Sequence, residues 1–257
     1  MLRRPAGVPW AAPPDDGQFS PYGVSHWLVL AVFAVGAALL VAWGRRHRHD
    51  PAERYVSRGF AVLTGLLALV LQVYSMVASG LGVDRSIPLH LSDLAPPVAA
   101  YALWTHRRWA FTLTYYWCLS LSAQALFSPV LRSPDFPDPE FLAFWAMHLL
   151  VIWAAVYLTW GLGLRPRWGC YRIAVAVTLG WVAVAMTFNS LAGTNYGYLN
   201  RKPETGSILD LLGPWPAYLA VEAALVLLAW ALMTLPWVWL AKQPRGPGAG
   251  RRAGSSR

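Results

Sequence analysis

Seven apolar runs, each about as long as a bilayer is thick, divide this chain and leave few folds open to it. A helix needs about 20 mainly apolar residues to cross the hydrocarbon core. Inside that core every backbone N–H and C=O must bond within the protein, which limits spanning segments to helices and closed barrels. The runs cover roughly residues 26–43, 59–79, 88–104, 109–127, 140–160, 170–191 and 215–240. Their length is that of helices, so the expected fold is an all-α polytopic membrane protein, a seven-transmembrane-helix bundle.

Charge agrees with this reading. Charged residues make up 13% of the chain, against about 25% in soluble domains, and they lie between the apolar runs. The net charge of +9 would suggest nucleic acid for a soluble protein. Here the basic residues sit in short connections, where topology places them, and no nucleic-acid partner is expected. The loops near 44–58, 105–108 and 161–172 and the C-terminal tail hold 15 Lys and Arg; the N-terminus and the loops near 80–87, 128–139 and 193–214 hold 6. Cytoplasmic loops carry the excess, so the N-terminus is expected outside and the C-terminus in the cytoplasm. Residues 1–20 read as a flexible N-terminal segment without the apolar core of a signal peptide. Residues 21–241 form the transmembrane domain, and 242–257, ending GPGAGRRAGSSR, a flexible basic tail. Cys118 lies in an apolar run and Cys170 in a basic loop. They suggest neither a disulfide nor a metal site, and no cofactor is expected.

Polar groups within a bilayer are costly and mark candidate sites. Pro96 and Pro97 must kink the third run. Ser92 and Asp93 lie within about 8 Å of its outer end, His148 roughly 13 Å into the fifth run, and Glu222 about 9 Å into the seventh, at the helical rise of about 1.5 Å per residue. Gln72, Ser75 and Ser79 share a face of the second run, Gln124 sits near the end of the fourth, and Thr187, Ser190 and Thr194 stack on the sixth. These positions fall in the outer half of the bundle. They imply a polar cavity opening outward under the long segment GTNYGYLNRKPETGSILDLLGPWP, which carries Asn195, Tyr198, Arg201, Lys202 and Asp210. The structural readings stand beside this one: Gln72 and Gln124 joining helices, Glu222 pairing with Arg201 or Lys202, and the 15 tryptophans acting as interface anchors.

Several stretches carry a resemblance. IPLHLSDLA at 87–95, YYWCLSLSAQALFSP at 115–129, the helix with Phe141, Phe144 and His148, and GTNYGYLNRKPETGSILDLLGPWPAYL at 193–219 resemble the YwaF family of bacterial integral membrane proteins. That family looks related to the eukaryotic transmembrane protein 164, a membrane acyltransferase that moves polyunsaturated acyl chains onto ether phospholipids through a cysteine acyl-enzyme. The resemblance implies a multi-pass protein of the bacterial cytoplasmic membrane with membrane lipids as partners and a phospholipid substrate. It implies His90, Asp93, Gln124, His148, Asn195, Tyr198, Lys202 and Asp210 as site members. The family pattern LPLHLCDL has cysteine where this chain has Ser92.

The expected chemistry follows from these residues. Ser92 would attack an acyl carbonyl, His148 would take its proton, and Asp93 would orient a histidine. Asn195 or Gln124 would donate to the oxyanion, and Lys202 would hold the head group. His90, Tyr198 and Asp210 would complete the substrate site. Two other classes fit the same sequence: a transporter or small-ligand binding protein, for which the kinked helix and outward cavity speak, and a non-catalytic assembly or sensory protein.

Overall fold

The computed structural model describes residues 17–78, 80, 82, 86–129, 131–202 and 211–242. Among these residues the regular structure is helical. The elements are α1 (Val24–His47), α2 (Ala52–Ala78), α3 (Leu91–Thr105) and α4 (Arg108–Leu113), which runs into a π-helix, π1 (Thr114–Ser122). After π1 come α5 (Gln124–Phe127), α6 (Pro139–Val156) with its π-helical end π2 (Tyr157–Gly161), α7 (Trp168–Ala192) and α8 (Ala217–Lys242). Asp210 and residues 243–257 lie outside the described residues.

Five stretches are long and apolar enough to cross a membrane: Val24–His47, Ala52–Ala78, Pro139–Gly161, Trp168–Ala192 and Ala217–Ala241. The third and fourth runs of the sequence are not among them. α3 has 15 residues, about 22 Å at the α-helical rise and short of the ~30 Å core. The fourth run is divided between α4, π1 and α5. α2 starts seven residues earlier than its apolar run and carries Glu53 into the bundle, where it is buried.

Small residues let these helices approach. α3 buries Ala95, Ala99 and Ala102 in its packing between α2 and α6. On α1, a Cβ at Gly36 would lie 2.3 Å from the Trp153 ring and one at Gly44 would lie 2.9 Å from Gly161. α1 therefore rests on α6 and π2 through its glycines, and Trp153 Nε1 donates to the Phe33 carbonyl at 3.0 Å. Gly17–Ser20, at the end of the stretch expected to be flexible, meets the segment before α6. Phe19 N–H donates to Ser133 O at 3.1 Å and Asp135 N–H to Gly17 O at 2.8 Å.

π1 gives α8 its polar seam. Each residue of a π-helix bonds one position further back than in an α-helix, which widens the turn and shifts side chains around the axis. Tyr116 and Thr234 hydroxyls meet at 2.7 Å, Trp230 Nε1 donates to Ser120 Oγ at 2.9 Å, and Tyr115 OH donates to Met233 O at 2.9 Å. Cys118 and Cys170 are both buried free thiols.

Candidate functional site

The site is built where residues 86–90 turn into α3. His90 has extended backbone angles and caps the helix, and its N–H donates to the Asp93 carboxylate at 3.0 Å. This is the carboxylate arm of a capping box, and it places the negative charge at the positive end of the helix. The other Asp93 oxygen accepts from Ser92 Oγ at 3.4 Å. Pro96 and Pro97 have no N–H to offer. The carbonyls of Ser92 and Asp93, four residues back, therefore lack their usual intrahelical donors.

Three other elements hold this entry segment. The Gln72 amide on α2 donates to Ser86 O at 3.0 Å, and Trp181 Nε1 on α7 donates to Leu89 O at 2.9 Å. The turn Tyr196–Tyr198 supplies the third: Tyr196 OH accepts from Ile87 N–H at 3.3 Å, and Gly197 N–H donates to His90 Nδ1 at 3.2 Å. His90 thus uses Nδ1 as an acceptor, which leaves the neutral ring's proton on Nε2. Gly197 has φ +66°, and a Cβ there would stand 2.6 Å from the Trp181 ring. Only glycine meets both demands.

The result is a cavity of about 510 Å³ between α2, α3 and α6. Gln72, Ser75, His90, Ser92 and Asp93 supply its polar wall; Leu69, Pro96, Pro97 and Met147 are among its apolar lining. Ser92 is exposed and Asp93 half-buried. Three of the site residues expected from the sequence, His90, Ser92 and Asp93, therefore share one cavity. The remaining ones are placed differently. His148 follows the cavity-lining Met147, but its Nδ1 is bonded to Phe144 O at 2.7 Å and its ring packs 4.2 Å from that of Phe144. No hydrogen bond joins His148 to Ser92 among the described residues. Gln124 is exposed at the start of α5 and is not in the cavity lining.

The loop residues form a scaffold beside the cavity. Asn195 is spent on its own turn, its carbonyl oxygen accepting from Asn200 N–H and Arg201 N–H and its amide donating to Arg201 O at 2.8 Å. The Tyr198 ring lies 5.9 Å from His90, and its carbonyl accepts from Tyr218 OH. The Lys202 ammonium sits 5.7 Å from the Tyr218 ring. Glu222 is half-buried on α8 and forms no ion pair with Arg201 or Lys202 among the described residues.

Sequence reasoning missed the residue that organises this loop. Asn189 is buried, donates to Tyr196 O at 2.9 Å, and accepts from Tyr196 N–H at 2.7 Å and Thr194 Oγ1 at 2.8 Å. An amide inside an apolar run was the available signal. Two of the hydroxyls singled out on that helix, Thr187 and Ser190, bond to carbonyls of their own helix, Ala183 O and Met186 O.

Long apolar helices around a small polar pocket define a multi-pass integral membrane protein. Residues 21–234 match the model of the TMEM164 family, and the chain belongs to that family. No curated protein and no solved structure matches the chain.

Proposed function

We propose that this protein is a membrane-embedded acyltransferase or lipid hydrolase that works on phospholipid acyl chains in the cavity between α2, α3 and α6. The observation that carries the reading is the joint presence of His90, Ser92 and Asp93 in a largely apolar wall. The apolar part suits an acyl chain, and the polar end suits the ester it carries. In this mechanism Ser92 Oγ attacks the ester carbonyl and its proton passes to Asp93, the carboxylate it already faces at 3.4 Å. The ester C–O bond breaks, Asp93 returns the proton to the departing lipid alkoxide, and the acyl group stays on Ser92. A lipid hydroxyl or water then attacks the acyl-serine carbonyl, Asp93 takes its proton and passes it to Ser92 Oγ, and the Oγ–acyl bond breaks to release the acyl product and restore Ser92. His90 Nε2–H is the donor for the oxyanion. The Ser92 and Asp93 carbonyls, without their usual intrahelical donors, accept from the incoming hydroxyl, and Lys202 holds the head group.

In the proposed topology α3 and the α4–π1–α5 rod also cross the membrane, giving seven passages with the N-terminus outside and the C-terminus in the cytoplasm of a bacterial cell. The excess of basic residues in alternate connections supports this. The cavity then opens toward the outer leaflet.

The test is acyl transfer between defined phospholipids, and release of free fatty acid, by purified protein. Ser92→Ala is expected to lose both by about a thousandfold or more, while Ser92→Cys keeps an acyl-enzyme. Wild-type rates in Ser92→Ala would remove the mechanism. A second reading is lipid binding without chemistry, favoured by the absence, among the described residues, of an imidazole bonded to Ser92. It predicts that Ser92→Ala and wild type retain equal amounts of bound lipid while neither transfers an acyl group.

A further inference from the structure

A second cavity lies away from Ser92, at the arginine-rich end of the bundle, with a volume of about 540 Å³. This falls within the ~300–1,000 Å³ range of ligand pockets. Tyr115, Leu119, Trp160, Met233, Pro236 and Trp237 are its principal walls. π1 and π2 both contribute to it, and Pro236 lies within α8 beside it. Its inner polar atoms are already used: Tyr115 OH donates to Met233 O at 2.9 Å and accepts from Trp237 Nε1 at 3.0 Å. The interior therefore offers apolar contact.

The rim differs. Arg165 holds its guanidinium 5.9 Å from the Trp237 ring, and Arg45 Nε donates to the Trp160 carbonyl at 3.1 Å. Arg48 reaches the same turn, with Nη1 3.7 Å from where a Cβ of Gly163 would lie. All three arginines are exposed. Apolar walls on membrane helices, two rim tryptophans with rings 5.8 Å apart, and three guanidinium groups match one amphiphile. The acyl chain fits the groove, and a phosphate fits the forked arginine donors.

We propose that this groove is a binding site for an anionic phospholipid, with one acyl chain between π1, π2 and α8 and its phosphate held by Arg45, Arg48 and Arg165. Basic pockets between membrane helices select anionic head groups in this way. The site is separate from the cavity of Ser92 and does not depend on any reaction there.

Native mass spectrometry on delipidated full-length protein tests the assignment, titrating phosphatidylglycerol against phosphatidylcholine with the same chains. Wild type should prefer phosphatidylglycerol by about fivefold for each arginine engaged. The triple variant R45Q/R48Q/R165Q should bind the two lipids equally, and Leu119→Trp, which fills the groove, should weaken both. Ser92→Ala should keep the wild-type preference, which separates this site from the proposed reaction. Equal affinity for the two lipids in wild type, or an undiminished preference in the arginine variant, would overturn the proposal. So would full displacement of phosphatidylglycerol by inorganic phosphate with no effect of Leu119→Trp, since that describes a free-anion site.

Discussion

The two ends of α3 each gather a serine, a histidine and a carboxylate, and they do so to opposite effect. At the C-terminal end, Ser57 Oγ donates to Leu103 O at 2.7 Å and lies 2.9 Å from His106 Nε2. Glu53 Oε1 is 3.6 Å from that same nitrogen and accepts from Tyr157 OH at 3.1 Å. Ser57 and Glu53 are buried. Both partners address one ring nitrogen, so the trio cannot relay a proton as a nucleophile, base and orienting group in series would. It joins α2, α3 and π2 instead. At the N-terminal end the contacts are weaker, with Ser92 3.4 Å from Asp93 and no imidazole bonded to it, yet the three residues open into a cavity. The better-bonded set is the structural one because its bonds are already satisfied; a site that handles substrate must keep groups unsatisfied and reachable.

The sharpest way to break this contrast is to remove each serine in turn. Ser92→Ala should reduce acyl transfer by about a thousandfold or more while leaving thermal stability near wild type. Ser57→Ala should do the reverse, costing about 1–3 kcal/mol through the hydrogen bonds lost at the Leu103 carbonyl and the His106 ring, while the rate per folded molecule stays unchanged. Loss of activity in the second variant with full stability would dissolve the distinction.

Next in size is the glycine that locks the open site. Gly197→Ala must place a Cβ against Trp181 at positive φ, an expected loss of about 1–3 kcal/mol. Proteolysis of the 193–202 loop should accelerate with it. Asn189→Ala should act in the same direction, by about 1–3 kcal/mol, because its four hydrogen bonds to the loop are lost from a buried position.

The smallest effect concerns pH at the sealed end. His106 follows α3 and is held below the ordinary histidine range, chiefly by burial. Glu53 opposes that shift, Arg54 adds to it, and its bond at Leu103 opposes it. The unfolded chain then takes up a proton at a higher pH than the folded one, so stability rises with pH across that interval. Stability of the detergent-solubilised protein should be full above about pH 6.5, the ordinary histidine value, and should decline as pH falls below it. His106→Gln should flatten the decline, as read by thermal unfolding between pH 5 and 8.

Much of this protein was visible in its residues. Apolar runs ended by charge, as at Arg45–Arg48, fixed five long helices because backbone groups in lipid have no other partners. IPLHLSDLA marked the residues that meet in the cavity. The run lengths could not reveal that α3 is only 15 residues or that the fourth run winds into π1, since hydropathy averages over turns and is blind to the register of hydrogen bonds. Glu53 was invisible as a core residue because a charged side chain reads as a loop until something buries it.

The sequence by itself determined a helical membrane protein, its family and one end of its pocket, because length, polarity and a local motif are properties of neighbouring residues. Only the tertiary structure decided which serine meets open space, that Gln124 stands outside the cavity, that Asn195 is consumed by its own turn, and that Arg45 and Arg165 reach Trp160 and Trp237. Those outcomes depend on how helices rotate and pack against one another. Such packing is set by contacts between residues about a hundred positions apart, as between His90 and Gly197 or Arg45 and Trp160, and no local pattern in the chain records them.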